Sequence, residues 1–154
     1  MKYVKGIKII SSLLFCIIIS AQDIKIDNIK NSIQTGPLVN NRDVGFGLKN
    51  ILEELVQDLD YNLNDKAIDA LTVELLYFDV KRTQSNIALY SKSSSQTEII
   101  ALAKYKKKKV KVKGTAKDII TSLILLNEQG QFTQNSVSVA LKKLSENIIK
   151  KLKL

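Results

Sequence analysis

The sequence predicts an α+β fold: a two-layer sandwich in which a mixed, mostly antiparallel sheet of about four strands carries two helices on one face. Three observations lead there. Residues 43–59 and 135–152 repeat apolar side chains at helical spacing. Residues 70–80, 97–105 and 109–116 are rich in β-forming side chains. One helix separates the first strand from the rest, whereas the later strands follow one another directly, which gives a single parallel crossover and then an antiparallel meander.

The chain begins with Lys2, Lys5 and Lys8, without an acid, and continues into an eleven-residue apolar run over residues 9–19. This is the layout of a secretory signal peptide, because the run is far shorter than the roughly 20 residues that span a bilayer. Residues 1–22 are therefore expected to be a leader cleaved near Ala21 or Gln22. Residues 23–154 are expected to form a single domain of about 132 residues, long enough for one core. An uncleaved anchor stays open, since a strict Ala-x-Ala site is absent. Lipidation at Cys16 also stays open, since Leu13 stands three positions before it, but bulky Phe15 and the isoleucines at 17–19 argue against it. The expected location is periplasmic or secreted.

In the mature chain, residues 24–29 alternate apolar and polar side chains and read as a strand. Thr35-Gly36-Pro37 and Asn40-Asn41 are turn chemistry. Asp43 can cap the first helix, whose stripe is Leu48, Ile51, Leu52, Leu55 and Leu59. After a turn at Asp60-Tyr61-Asn62, residues 70–80 read as a central strand. Leu71, Val73, Leu75 and Tyr77 lie on one side of it and Leu76, Phe78 and Val80 on the other. Residues 81–96 are polar and read as a loop with a flexible serine-rich tip at 91–95, in which Ile87, Ala88, Leu89 and Tyr90 could tuck back onto the body.

Residues 97–105 and 109–116 are two more strands. In the second, Val110, Val112, Gly114 and Ala116 alternate with Lys111, Lys113, Thr115 and Lys117, the pattern of a sheet with one wet face. Residues 119–126 fit either a strand or a helix, and the turn residues 127–130 favour a strand that reverses. Asn135 or Ser136 caps the last helix, with its stripe of Val137, Leu141, Leu144, Ile148 and Leu152.

Composition excludes much chemistry. Hydrophobic residues are 45% and charged residues 25% of the chain, a globular balance. Cys16 is the only cysteine and lies in the leader, so no disulfide, thiol nucleophile or Cys-bound metal is expected in the mature chain. The absence of histidine rules out Ser-His-Asp catalysis and His-bound zinc. The acids are scattered without metal-loop spacing, so no enzyme activity, metal or cofactor is expected.

Formal charge is +9 and unevenly spread. From residue 43 to 79 nine acids stand against Lys49 and Lys66, whereas from 80 to 154 sixteen bases stand against four acids. The chain is thus a charge dipole along its sequence, and self-association through its two halves is one expectation.

The order of elements resembles the small periplasmic lipoproteins of the YajG type and, more loosely, LptE-like and CsgG-like periplasmic domains. The residues that carry the resemblance are the helix Leu48-Lys49-Asn50-Ile51-Leu52-Glu53-Glu54-Leu55 leading into Asp60-Tyr61, the core strand at 70–79, the segment from Leu125 to Phe132, and the final amphipathic helix. Asp60 stands where such families often have glycine, and their lipobox cysteine is missing. The resemblance implies an envelope assembly or accessory role without catalytic residues.

The strongest chemical signal in the mature chain is a lysine run. Lys104, Lys106, Lys107, Lys108, Lys109, Lys111 and Lys113 place seven lysines in ten residues. As a solvated hairpin, they would protect a sheet edge against association. As a site, they would hold a polyanion: an anionic lipid or glycan surface, or an acidic envelope protein. Scarce arginine, the leader and the single aromatic Tyr105 argue against nucleic acid. The sequence therefore predicts an exported, non-catalytic envelope accessory protein that binds through this hairpin, with a self-associating structural subunit as the alternative.

Mass spectrometry of the exported chain should find its N-terminus at Gln22 or Asp23. Retained Met1, or lipid on Cys16, would overturn the expectation of a cleaved, unanchored chain.

Overall fold

Among the described residues, two helices lie against one face of a six-stranded sheet, the two-layer α+β arrangement that the sequence predicts, with more strands than expected. The computed structural model describes residues 22–33, 44–87, 90–123 and 135–154. Residues 1–21 of the expected leader, the turn residues 35–41, the Asp43 cap and the reversal at 127–130 lie outside the described residues.

The strands are β1 (Asp23–Ile26), β2 (Lys30–Asn31), β3 (Asn62–Leu63), β4 (Ala70–Ile87), β5 (Tyr90–Tyr105) and β6 (Lys108–Leu123), and the helices are α1 (Val44–Gln57) and α2 (Asn135–Leu152). Sheet order is β3-β1-β4-β5-β6, with β2 also on β4. β1 runs parallel to β3 and β4, as the crossover through α1 requires, and β4, β5 and β6 are antiparallel.

The strand expected at 24–29 ends at Ile26, and a second short strand, β2, follows beyond it at Lys30–Asn31; both run parallel to β4. β3 answers to no sequence signal. It follows α1 through a cap in which Asp60 takes a left-handed backbone, φ 61°. There the Asp60 N–H donates to the Gln57 carbonyl at 3.0 Å and the Tyr61 N–H to the Val56 carbonyl at 3.2 Å. This is the six-to-one and five-to-two pattern of a glycine-favouring helix end, with an aspartate in the glycine's place. Because α1 ends at Gln57, Leu59 lies outside it and is exposed, and Val56 completes the buried stripe of Val44, Leu48 and Leu52.

The largest departure lies in residues 81–96. Instead of a loop, they continue β4 and open β5, in unbroken register from Lys81 opposite Gln96 to Ile87 opposite Tyr90. Antiparallel pairing satisfies every other backbone group with the neighbouring strand whatever the side chains are, so a polar sequence rich in serine and threonine can extend a ribbon. A second correction sits at Leu76, where the register shifts and two residues of β4 face one of β5. The bulge reverses the alternation. Leu71, Val73 and Leu75 face the helices before it and Phe78 after it, which leaves Tyr77 on the opposite face.

The core lies between helices and sheet: Ile24, Leu71, Leu75, Ile99 and Val112 against Leu48, Leu52, Leu144 and Ile148. Ser136, near the start of α2, is pinned to β5, where the hydroxyls of Thr97 and Ser95 lie 3.0 and 3.2 Å from its own. Gly114 marks the closest approach of α2 to β6. A Cβ there would overlap the Ala140 carbonyl oxygen and stand 2.7 Å from Leu144 Cβ.

Gly114→Ala should therefore destabilise the protein by about 3 kcal/mol, because the obstacle is helix backbone that cannot rotate aside. Gly47, inside α1, would give its Cβ only Leu141 Cδ1 at 3.5 Å, an ordinary contact. Gly47→Ala should stabilise by about 0.5–1 kcal/mol. Thermal melts of the two variants should thus move in opposite directions, and a shared direction would contradict this packing.

Candidate functional site

Among the described residues the two helices cover one sheet face only, and four lysines of the run, Lys104, Lys109, Lys111 and Lys113, stand on the other. Along β5 and β6 the side chains alternate across the sheet, so the chain neighbours of the buried Ala101, Ala103 and Val112, namely Ile100, Leu102, Lys104, Lys111 and Lys113, point away from the helices. Lys104 lies directly opposite Lys109, Leu102 opposite Lys111, and Ile100 opposite Lys113. Continuing onto β4, these rows add Thr72, Glu74 and Tyr77. The result is a bare face with half-buried Ile100 and Leu102 along its middle strand and lysines along its outer one.

The structure divides the seven lysines by task. Lys106 and Lys107 form the two-residue turn between β5 and β6, with Lys106 in the left-handed region at φ 52°. Lys106 Nζ pairs with Asp69 at 3.1 Å and lies 5.2 Å from the centre of the Tyr105 ring. The Asp69 carboxylate holds this ammonium above the ordinary lysine range, so its charge is already matched. Lys108 is turned to the helix side, where its Nζ donates to the Leu152 carbonyl at 2.9 Å and serves the open C-terminal end of α2. Lys113 pairs with Glu98 at 2.9 Å.

Lys104, Lys107, Lys109 and Lys111 make no ion pair among the described residues. Three of these stand on the bare face, and Lys107 stands at the turn beside it. Glu74 shares a row with Leu102 and Lys111. Ser32 Oγ donates to it at 2.5 Å and Lys30 Nζ lies 3.3 Å away; these contacts, with a smaller attraction from the Lys109 ammonium, hold its carboxyl below the usual carboxylate range.

Sequence reasoning found the run but not its extent. Lys117 on β6 and Lys81 on β4 flank Gln96 in one row of the same face, and Lys30 reaches it from β2. Lys117 continues the alternation of Lys111 and Lys113, a signal available in the sequence. Lys81 and Lys30 are brought in only by strand pairing.

The edge of β6 is not left bare beside α2. Asn147 Nδ2 donates to the Lys113 carbonyl at 3.1 Å and Lys151 Nζ to the Lys111 carbonyl at 3.3 Å. The helix thus takes up backbone acceptors that an added strand would use, so edge protection along this stretch does not depend on the lysines of the bare face. Among the described residues no group of three or more His, Cys, Asp or Glu is placed to hold a metal ion, and no helix is long and apolar enough to cross a membrane.

No protein-family model matches the chain, and no curated protein matches it. Solved structures of similar arrangement include a minor lipoprotein from Acinetobacter baumannii, 12% identical, covering 84% of this chain and 89% of that one with a TM-score of 0.46. A hypothetical protein from Chlamydia trachomatis is 6% identical, covers 86% and 96%, and has a TM-score of 0.46. Rare lipoprotein B from Shewanella oneidensis is 10% identical, covers 84% and 93%, and has a TM-score of 0.38. Two of these three are bacterial lipoproteins.

Proposed function

We propose that this chain is an exported, non-catalytic accessory protein of the cell envelope that holds an acidic partner, an anionic lipid or glycan surface or an acidic envelope protein, against its helix-free sheet face. The leader-like N-terminus supports the location, and the resemblance in element order to YajG-type lipoproteins supports an assisting role in envelope or secretion assembly.

One observation carries the reading: Lys104 and Lys109 are placed directly opposite each other, with Lys111 two residues further along, and none of the three forms an ion pair among the described residues. Like charges opposite each other on adjacent strands are unfavourable for the fold. A partner bearing negative charge converts that repulsion into attraction. Because lysine is a point charge without a fixed fork, the face favours a dense anionic surface over one defined phosphate.

Heparin serves as the acidic-glycan probe. Replacing Lys104, Lys109, Lys111 and Lys113 by Gln should leave the melting temperature within a few degrees and sharply lower the salt needed to elute the protein from immobilised heparin. The control replaces Lys142, Lys143 and Lys150 on α2 and Lys153 just after it, removing the same charge from another surface. Retention should weaken with salt, since exposed charges are screened over about 8 Å at 0.15 M. Equal losses from both sets would reduce the effect to net charge and defeat the proposal.

A further inference from the structure

The same sheet extends far beyond the helices, and its distal end has a character of its own. β4 runs 18 residues, about 55 Å, and its last seven side chains are all exposed. There β4, β5 and β6 form a three-stranded ribbon that ends in large apolar side chains held in water. Ile87 is 70% exposed, Tyr90 56% and Ile119 48%.

Register places these three on one face. Ile87 is opposite Tyr90, and two rows further in Thr83, Ser94 and Ile119 lie side by side. Lys92 falls in the row between them, and Lys81 and Lys117 flank the row below. Asp118, the one acid among the described residues of the ribbon from the row of Lys81 and Lys117 outward, shares a row with Arg82 and Ser95 and so projects from the opposite face. The face therefore ends in exposed isoleucines and a tyrosine, backed by three lysines with no acid among them.

From this arrangement we infer that the ribbon tip is a membrane-interface anchor: Ile87, Tyr90 and Ile119 enter the boundary between head groups and acyl chains of an anionic bilayer, and Lys81, Lys92 and Lys117 meet the lipid phosphates. The chemistry selects this occupant. Isolated apolar side chains at the end of a projecting element bury area only by entering something soft, and tyrosine suits a boundary where its ring is buried and its hydroxyl wet. Lysines beside an apolar tip add attraction to anionic head groups and keep their charge in water while their stems lie along the apolar boundary. The anchor is separate from the proposed basic site, because Lys104 and Lys109 lie at the far end of the ribbon's strands, beside the turn of Lys106 and Lys107.

The chain contains no tryptophan, so a single introduced indole reports its own surroundings. Ile87→Trp should shift its emission to the blue on mixing with vesicles of phosphatidylcholine and phosphatidylglycerol, and less with phosphatidylcholine alone. Ile68→Trp, at a fully exposed site just before β4 and so at the opposite end of that strand, should not shift. In the otherwise unmodified chain, Ile87→Ser and Ile119→Ser should each weaken vesicle binding about tenfold at an unchanged melting temperature.

An Ile68→Trp shift without an Ile87→Trp shift would show that the basic end alone meets the vesicle; this overturns the anchor and leaves the basic site standing. A blue shift of Ile87→Trp that grows with protein concentration in the absence of lipid would assign the tip to a second copy of the chain, and equal shifts with neutral and anionic vesicles would remove the lysines from the account. Either result overturns the inference.

Discussion

The contact between α2 and β6 at Gly114 is the constraint on which the rest of the molecule depends. The helix backbone comes so close to the strand that only the absence of a side chain admits it. At that distance Leu144 and Ile148 reach the apolar side of the sheet, Asn147 and Lys151 reach the carbonyls of the outer strand, and Lys108 reaches the end of the helix. With α2 in place, α1 packs beside it, and the helix side of the sheet is committed to the core along β4 from Leu71 to Phe78. The other face has no cover among the described residues.

What that bare face displays follows from strand alternation. Burying Ala101, Ala103 and Val112 forces Leu102, Lys104, Lys111 and Lys113 outward. A partner-free role for such a surface would favour mixed charges, because opposite signs across neighbouring strands stabilise a sheet and like signs do not. Lys113 with Glu98 and Lys30 with Glu74 follow that pattern. Lys104 opposite Lys109 departs from it, and this departure carries the binding proposal. Local rules of stability are most often broken where a surface serves something other than the fold.

Much of the fold was legible in the sequence. The stripe of α2 from Val137 to Leu152 and the alternation of β6 could be read because each has one wet face and one buried face, so hydropathy and geometry share a period. Residues 81–96 could not, since the ribbon there has no buried apolar face among the described residues, its apolar Ile87 and Tyr90 stand exposed, and the backbone pairing that holds it is blind to side chains. The bulge at Leu76 made β4 look apolar on both sides, because a change of phase mimics a doubly buried strand. The lysine run was obvious, but its division of labour was not. Asp69, Glu98 and the Leu152 carbonyl, which claim Lys106, Lys113 and Lys108, are brought there by pairing and packing that no local pattern announces.

The most direct measurement of the central claim is lysine acylation read by mass spectrometry, residue by residue, with and without heparin. Without heparin, Lys104, Lys109 and Lys111 should react quickly, whereas Lys106 and Lys108, engaged with Asp69 and the Leu152 carbonyl, should react slowly. With heparin, protection should concentrate on Lys104, Lys109, Lys111 and Lys113 and leave Lys142, Lys143 and Lys150 as reactive as before. Protection spread evenly over both sets, or centred on α2, would contradict a binding face on the helix-free side of the sheet.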